Sequence, residues 1–186
     1  MTSGRLEAGG QRRRLWLLGC LALLIPVVAM RVDTLADAQT TTYSSVPISS
    51  WRLNGDGHAV LKVDNIVYVG GSFTRATSPS GDQSANRYNL AAFDASTGAL
   101  ITSFRADTDG RVHDLLTDGT SLFVSGSFSS VNGVERRRLA MLDLNTGDVR
   151  SGFRADASAT VYSMSLAAGK LYVSGGFTSI NGSGRS

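Results

Sequence analysis

Phe123-Val124-Ser125-Gly126-Ser127-Phe128 decides the fold, because the chain writes it three times. Tyr68-Val69-Gly70-Gly71-Ser72-Phe73 precedes it and Tyr172-Val173-Ser174-Gly175-Gly176-Phe177 follows it. β-forming residues run into a small-residue step that ends on phenylalanine, and small residues inside a strand mark a close backbone neighbour. The period is 55 from Phe73 to Phe128 and 49 from Phe128 to Phe177, with six extra residues inside Thr74–Asn89 of the first repeat.

Outward from this core the repeat keeps its spacing. Asp94-Ala95-Ser96-Thr97-Gly98 matches Asp143-Leu144-Asn145-Thr146-Gly147. Phe-Arg-Ala-Asp follows each glycine, at Phe104–Asp107 and Phe153–Asp156, and a valine follows each phenylalanine, at Val112 and Val161. The recurring positions Gly71, Phe73, Asp94, Gly98, Phe104, Gly126, Phe128, Asp143, Gly147, Phe153, Gly175 and Phe177 therefore read as structural. The third repeat runs to Ser186, with Asn181-Gly182-Ser183-Gly184-Arg185 matching Asn132-Gly133-Val134-Glu135-Arg136.

Each repeat reads as strands and turns. In the second, Val112–Leu116 is a short apolar run and Thr117-Asp118-Gly119-Thr120 is a turn with the residues that turns require. Leu122–Phe128 is a strand, and Val131-Asn132-Gly133 carries a hairpin signal. Leu139–Leu144 is apolar on both faces, as in a buried strand. Asn145-Thr146-Gly147 is a third turn, and Asp148–Phe153 is expected to be a half-polar last strand. Four short strands per period of roughly 50 residues is the grammar of a β-propeller blade of the kelch type. The expected fold is all-β: about two and a half four-stranded blades, over residues 51–107, 108–156 and 157–186, behind a leader. The exposed blade faces at the two ends call for further blades, in a longer chain or through self-association.

These motifs, taken together and in order, resemble the delta-60 repeat, a bacterial family of propellers on exported actinobacterial proteins. The resemblance covers Gly57 to Ser186. Gly70-Gly71 is similar to the kelch double glycine, and Leu142-Asp143 with Thr146-Gly147 is similar to quinoprotein blades. The family resemblance implies a propeller fold and an exported setting, and no general activity.

The first 50 residues read differently. Arg12-Arg13-Arg14, the apolar run Leu15–Met30 and Ala36-Asp37-Ala38 form a secretory signal peptide over residues 1–38, with cleavage after Ala38. Cleavage after Ala29, or retention as a membrane anchor, is the alternative, though the run is short for a span of about 20 residues. Leu17-Leu18-Gly19-Cys20 resembles a lipobox and Arg12-Arg13 a twin-arginine signal. Residues 39–50 are a Ser/Thr-rich spacer, and Trp51 and Leu53 start the first packed element. The expected location is secreted or cell-surface.

Charge and cysteine usage narrow the chemistry. Two of the three formal positive charges lie in the leader, since residues 39–186 carry 13 basic and 12 acidic side chains, a net of +1. Arg136-Arg137-Arg138 is the densest basic site and reads as a solvated loop. It lacks the interleaved aromatics that single-stranded nucleic acid uses, so no nucleic-acid partner is expected. Cys20 is the one cysteine, which removes internal disulfides and cysteine metal sites from the repeats.

Four constellations invite a chemical reading. Asp107-Thr108-Asp109-Gly110 opens like a calcium loop but lacks the distal ligands, and it reads as a turn at the step between repeats. His58 and His113 occupy matching places at the start of the innermost strand, where a paired metal or acid–base role competes with plain solvent exposure. Asp94 and Asp143 recur in register with Thr-Gly and read as turn stabilisers. Arg105 and Arg154 are expected to tie repeat to repeat through Asp107 and Asp156. No catalytic, cofactor-binding or metal-binding residue is assigned and no cofactor is implied. The reading is a non-catalytic extracellular binding or interaction module for a protein or a cell-wall glycan. Its alternative is the scaffold part of a secreted enzyme.

Overall fold

A computed structural model of the chain describes residues 49–184. The signal peptide and all of the spacer before Ser49 lie outside the described residues. Among the described residues there is no helix, and the fold class is all-β.

The first repeat contains β1 (Arg52–Leu53), β2 (Asp56–Val63), β3 (Ile66–Ser72), β4 (Arg75–Thr77), β5 (Ser84–Asn86) and β6 (Leu90–Asp94). The second contains β7 (Val112–Thr117), β8 (Ser121–Gly126), β9 (Ser130–Val131), β10 (Val134–Glu135) and β11 (Leu139–Asp143). The third contains β12 (Val161–Ala167), β13 (Lys170–Gly175), β14 (Ser179–Ile180) and β15 (Ser183–Gly184). In each repeat the first long strand pairs antiparallel with the second, giving β2-β3-β6, β7-β8-β11 and β12-β13. A ribbon leaves the sheet after the second strand: β9-β10 or β14-β15, and in the first repeat β4-β5, which β1 extends to three strands as β1-β4-β5. The last two ribbons turn at Asn132-Gly133 and Asn181-Gly182, where all four residues have positive φ, as a tight hairpin of the required twist demands. The extra residues of the first repeat lengthen its ribbon loop over Ser78–Gln83, closed by Ser78 N–H donating to the Gln83 carbonyl.

The expected fourth strand is shorter than the sequence suggests. Asp148–Phe153 touches the sheet at a single bridge, Leu142 to Val149, flanked by two backbone hydrogen bonds, and the first repeat does the same at Phe93 to Leu100. The reason is downstream. The chain must leave the sheet at once to place Phe153, or Phe104, between repeats.

Phe104 and Phe153 fill the two seams. Tyr68 lies edge-on to Phe104 at 5.2 Å, and Phe123 lies edge-on to Phe153 at 5.7 Å. Tyr68 also donates from its hydroxyl to the Leu144 carbonyl at 2.7 Å. Around the first seam Leu90, Val112, Leu122, Val124 and Leu142 form one buried cluster. Around the second, Leu139, Val161, Met164 and Phe177 form another. The repeats thus stack face to face, each hiding the apolar side of its neighbour.

The hallmark glycine has a local cause. The register slips by one residue opposite it in every repeat, between Gly57 and Ala59, Val112 and Asp114, and Val161 and Ser163. This bulge turns a carbonyl toward the glycine Cα. A Cβ at Gly71, Gly126 or Gly175 would collide with the carbonyl of Asp56, Arg111 or Thr160.

Candidate functional site

The bulges create the feature most open to chemistry. The residues they push out are His58, His113 and Tyr162, one per repeat. Strand β7 lies between β2 and β12, so the three side chains form a column across the first long strands of the three repeats. The rings of His58 and His113 are 5.9 Å apart and tilted by 34°. His113 meets Tyr162 edge-on at 5.3 Å. His58 and Tyr162 are exposed, while His113 is half-buried between them. Burial, with Arg111 and His58 adding repulsion, holds the His113 imidazole below the ordinary histidine range. Beside the column, Asp114 accepts from the Leu115 amide at 2.9 Å and from the Met164 amide at 2.6 Å, tying β7 to β12.

The sequence reading placed the histidines in matching positions but did not bring their rings together. The missing signal is the bulge. Without it, His58 and Ala59 would alternate between faces in the ordinary way, and nothing would mark the histidine, its counterpart and Tyr162 as one column.

The recurring carboxylates have structural partners. Asp94 accepts from the amides of Ser96 and Thr97 and from the Thr97 hydroxyl, at 2.8 to 3.0 Å. Asp143 accepts from the amides of Asn145 and Thr146 at 2.9 and 3.1 Å. These amides hold both carboxyls below the usual range. Gly147, at φ +82°, completes its turn, and a Cβ there would strike the Arg105 carbonyl of the linker between the repeats.

The Asp107-Thr108-Asp109-Gly110 stretch is also committed to backbone. Asp109 accepts from the amides of Ser129 and Ser130 at 2.7 and 2.9 Å. Asn54 plays this part for Thr74 and Arg75, and Ser158 for Thr178 and Ser179. Asp107 accepts from the Tyr88 amide at 3.1 Å and pairs with Arg105 at 2.9 Å. Asp156 likewise accepts from the Arg137 amide at 3.0 Å and pairs with Arg154 at 2.7 Å. The link to the next repeat is made by asparagine. The Asn132 side chain accepts from the Asp107 amide and donates to the Arg105 carbonyl, and Asn181 does the same for Asp156 and Arg154.

The basic cluster needs a correction. Arg136 is buried, not solvated, with one guanidinium nitrogen donating to the Glu135 carbonyl at 2.7 Å. Arg87 is its counterpart, buried and donating to the Asn86 and Thr102 carbonyls. Arg136 directly follows β10, where its amide donates to the Ser129 carbonyl, and a long arginine stem can be buried while its head finds backbone oxygens. Arg137 remains exposed and pairs with Glu135 at 2.8 Å.

Among the described residues no group of three or more His, Cys, Asp or Glu side chains converges as a metal cage. No protein-family model, curated protein or solved structure matches this chain.

Proposed function

We propose that this chain is a non-catalytic, extracytoplasmic interaction module of partial propeller form whose two open faces take further repeats, and that the 186-residue chain on its own meets this need by binding a second copy head to tail. The exported setting rests on the leader motifs and the propeller reading on the repeat. The observation that carries the proposal is one position seen three times. Tyr68 is 1% exposed and Phe123 6%, each covered by the next repeat, whereas Tyr172 is 54% exposed. The opposite face shows the complement: Leu115 and Met164 are 6% and 8% exposed and Val60 is 71%.

The first repeat offers a receptor for Tyr172. A hollow of about 490 Å³ on its open face is lined by Trp51, Leu53, Val67, Val69, Phe93 and Ala95, among others. Val67, Val69 and Ala95 match Leu122, Val124 and Leu144, which receive Tyr68 inside the molecule. Trp51 stands at the place of Ala106 and supplies a ring there. A docked copy would bury the Tyr172 ring and direct its hydroxyl to the Ala95 carbonyl, repeating the Tyr68–Leu144 bond. Contacts of this kind are heterologous and build rings or open chains, not symmetric dimers. Sedimentation velocity over a wide concentration range tests this. Mass that rises with concentration supports it, and a monomer throughout the range refutes it.

A further inference from the structure

We infer that His58 and His113 form a two-imidazole site for a divalent transition-metal ion, bridging the first long strands of the first two repeats. The site is separate from the open faces and does not depend on them.

Geometry is the main argument. A ring nitrogen lies about 1.1 Å from the imidazole centroid, and a metal–nitrogen bond adds about 2.0–2.1 Å, so two rings on one ion have centroids at most ~6.4 Å apart, and ~5.2 Å at the tetrahedral angle. The observed 5.9 Å falls inside that range. Both rings sit at bulges on adjacent strands, so their spacing is set by backbone and not by long flexible side chains. Tyr162 packs against the far side of His113 and limits its rotation. His58 is exposed, which leaves the ion open to solvent and its remaining positions to water.

Ligand chemistry narrows the ion. Two neutral imidazoles suit copper, nickel and zinc, and disfavour calcium and magnesium, which take oxygen. Copper(II) should bind most tightly of the divalent series. Arg111 opposes a cation electrostatically, so the two nitrogen bonds must outweigh its charge. An ion held across β2 and β7 would lock the first seam at these strands.

The test uses the full chain carrying Cys20→Ser, which removes the one thiol that would compete. Copper(II) and zinc(II) are titrated separately by calorimetry, and copper is followed by electron paramagnetic resonance. The expected result is one ion per chain, nitrogen hyperfine structure from two imidazoles, and a melting temperature that rises with metal. His58→Ala and His113→Ala should each weaken binding about tenfold or more, while Tyr162→Phe should leave it within about twofold. His58 is exposed, so His58→Ala keeps the fold, and unchanged melting without metal verifies this. No saturable binding by the parent chain, or equal binding by His58→Ala, overturns the site.

Discussion

The first seam and the outer face of the third repeat are built from the same residues in opposite circumstances. At the seam, Tyr68 packs on Phe104 and bonds to Leu144, and water is excluded. On the third repeat Tyr172 has the same strand beneath it and the same glycine three residues on, yet over half its surface is open. Sequence sets the strand, the turn and the bulge, and the neighbouring repeat sets burial. Stability in such a stack is a sum of repeat and interface contributions, so identical residues should carry different weights by position.

The most damaging change should be one that no position tolerates. Gly126→Val places side-chain atoms against the Arg111 carbonyl, inside the stack. It should cost more than about 3 kcal/mol and leave little folded chain in urea titrations. Gly119→Ala, where nothing crowds the Cα, should cost only the strain of its positive φ, about 1 kcal/mol.

Next comes the direct contrast. Tyr68→Ala should cost about 3–5 kcal/mol, because it opens a cavity and leaves the Leu144 carbonyl unpaired. Tyr172→Ala in dilute solution should cost under about 1 kcal/mol. Equal costs by denaturant unfolding would erase the distinction between seam and face.

The asparagine link is a smaller test. Asn132→Ala removes the side chain that joins Asp107 and Arg105 to the next ribbon and should cost about 1–2 kcal/mol. Arg105→Gln removes an exposed ion pair and should change stability by less than about 1 kcal/mol, fading with salt.

Acid should act on the whole stack. Amide donors outweigh burial at Asp109, and at Asp156 the Arg137 amide and the Arg154 pair do so; both carboxyls are held below their ordinary values, as are Asp94 and Asp143. A depressed folded pKa gives stability that is present above the unfolded value, near 4, and lost as pH falls through the folded value. Melting temperature should therefore ease slightly as pH falls below about 6.5, where the partly buried His113 resists protonation, and drop steeply below about pH 4.

Much of this was legible because it is local. The Gly-x-Phe step, the Asp-x-x-Thr-Gly turn and the Asn-Gly hairpins are short patterns whose physics lies within a few residues. The column of His58, His113 and Tyr162 was half visible, since register within the repeat gave the positions but only the bulge brought the rings into one line. Arg136 was misread because three adjacent charges look solvated, while one of them is buried with its guanidinium on the Glu135 carbonyl. The fourth strand was overread because its composition suits a strand, while the need to deliver Phe153 ends it after one bridge.

The most direct test of head-to-tail binding mixes two damaged chains. Tyr172→Asp spoils one face and Val60→Asp the other, so each variant alone should sediment as a monomer. Mixed in equal amounts, they should form a 1:1 dimer through the two intact faces and grow no further. A mixture that stays monomeric, or either variant associating alone as the parent does, would contradict the account.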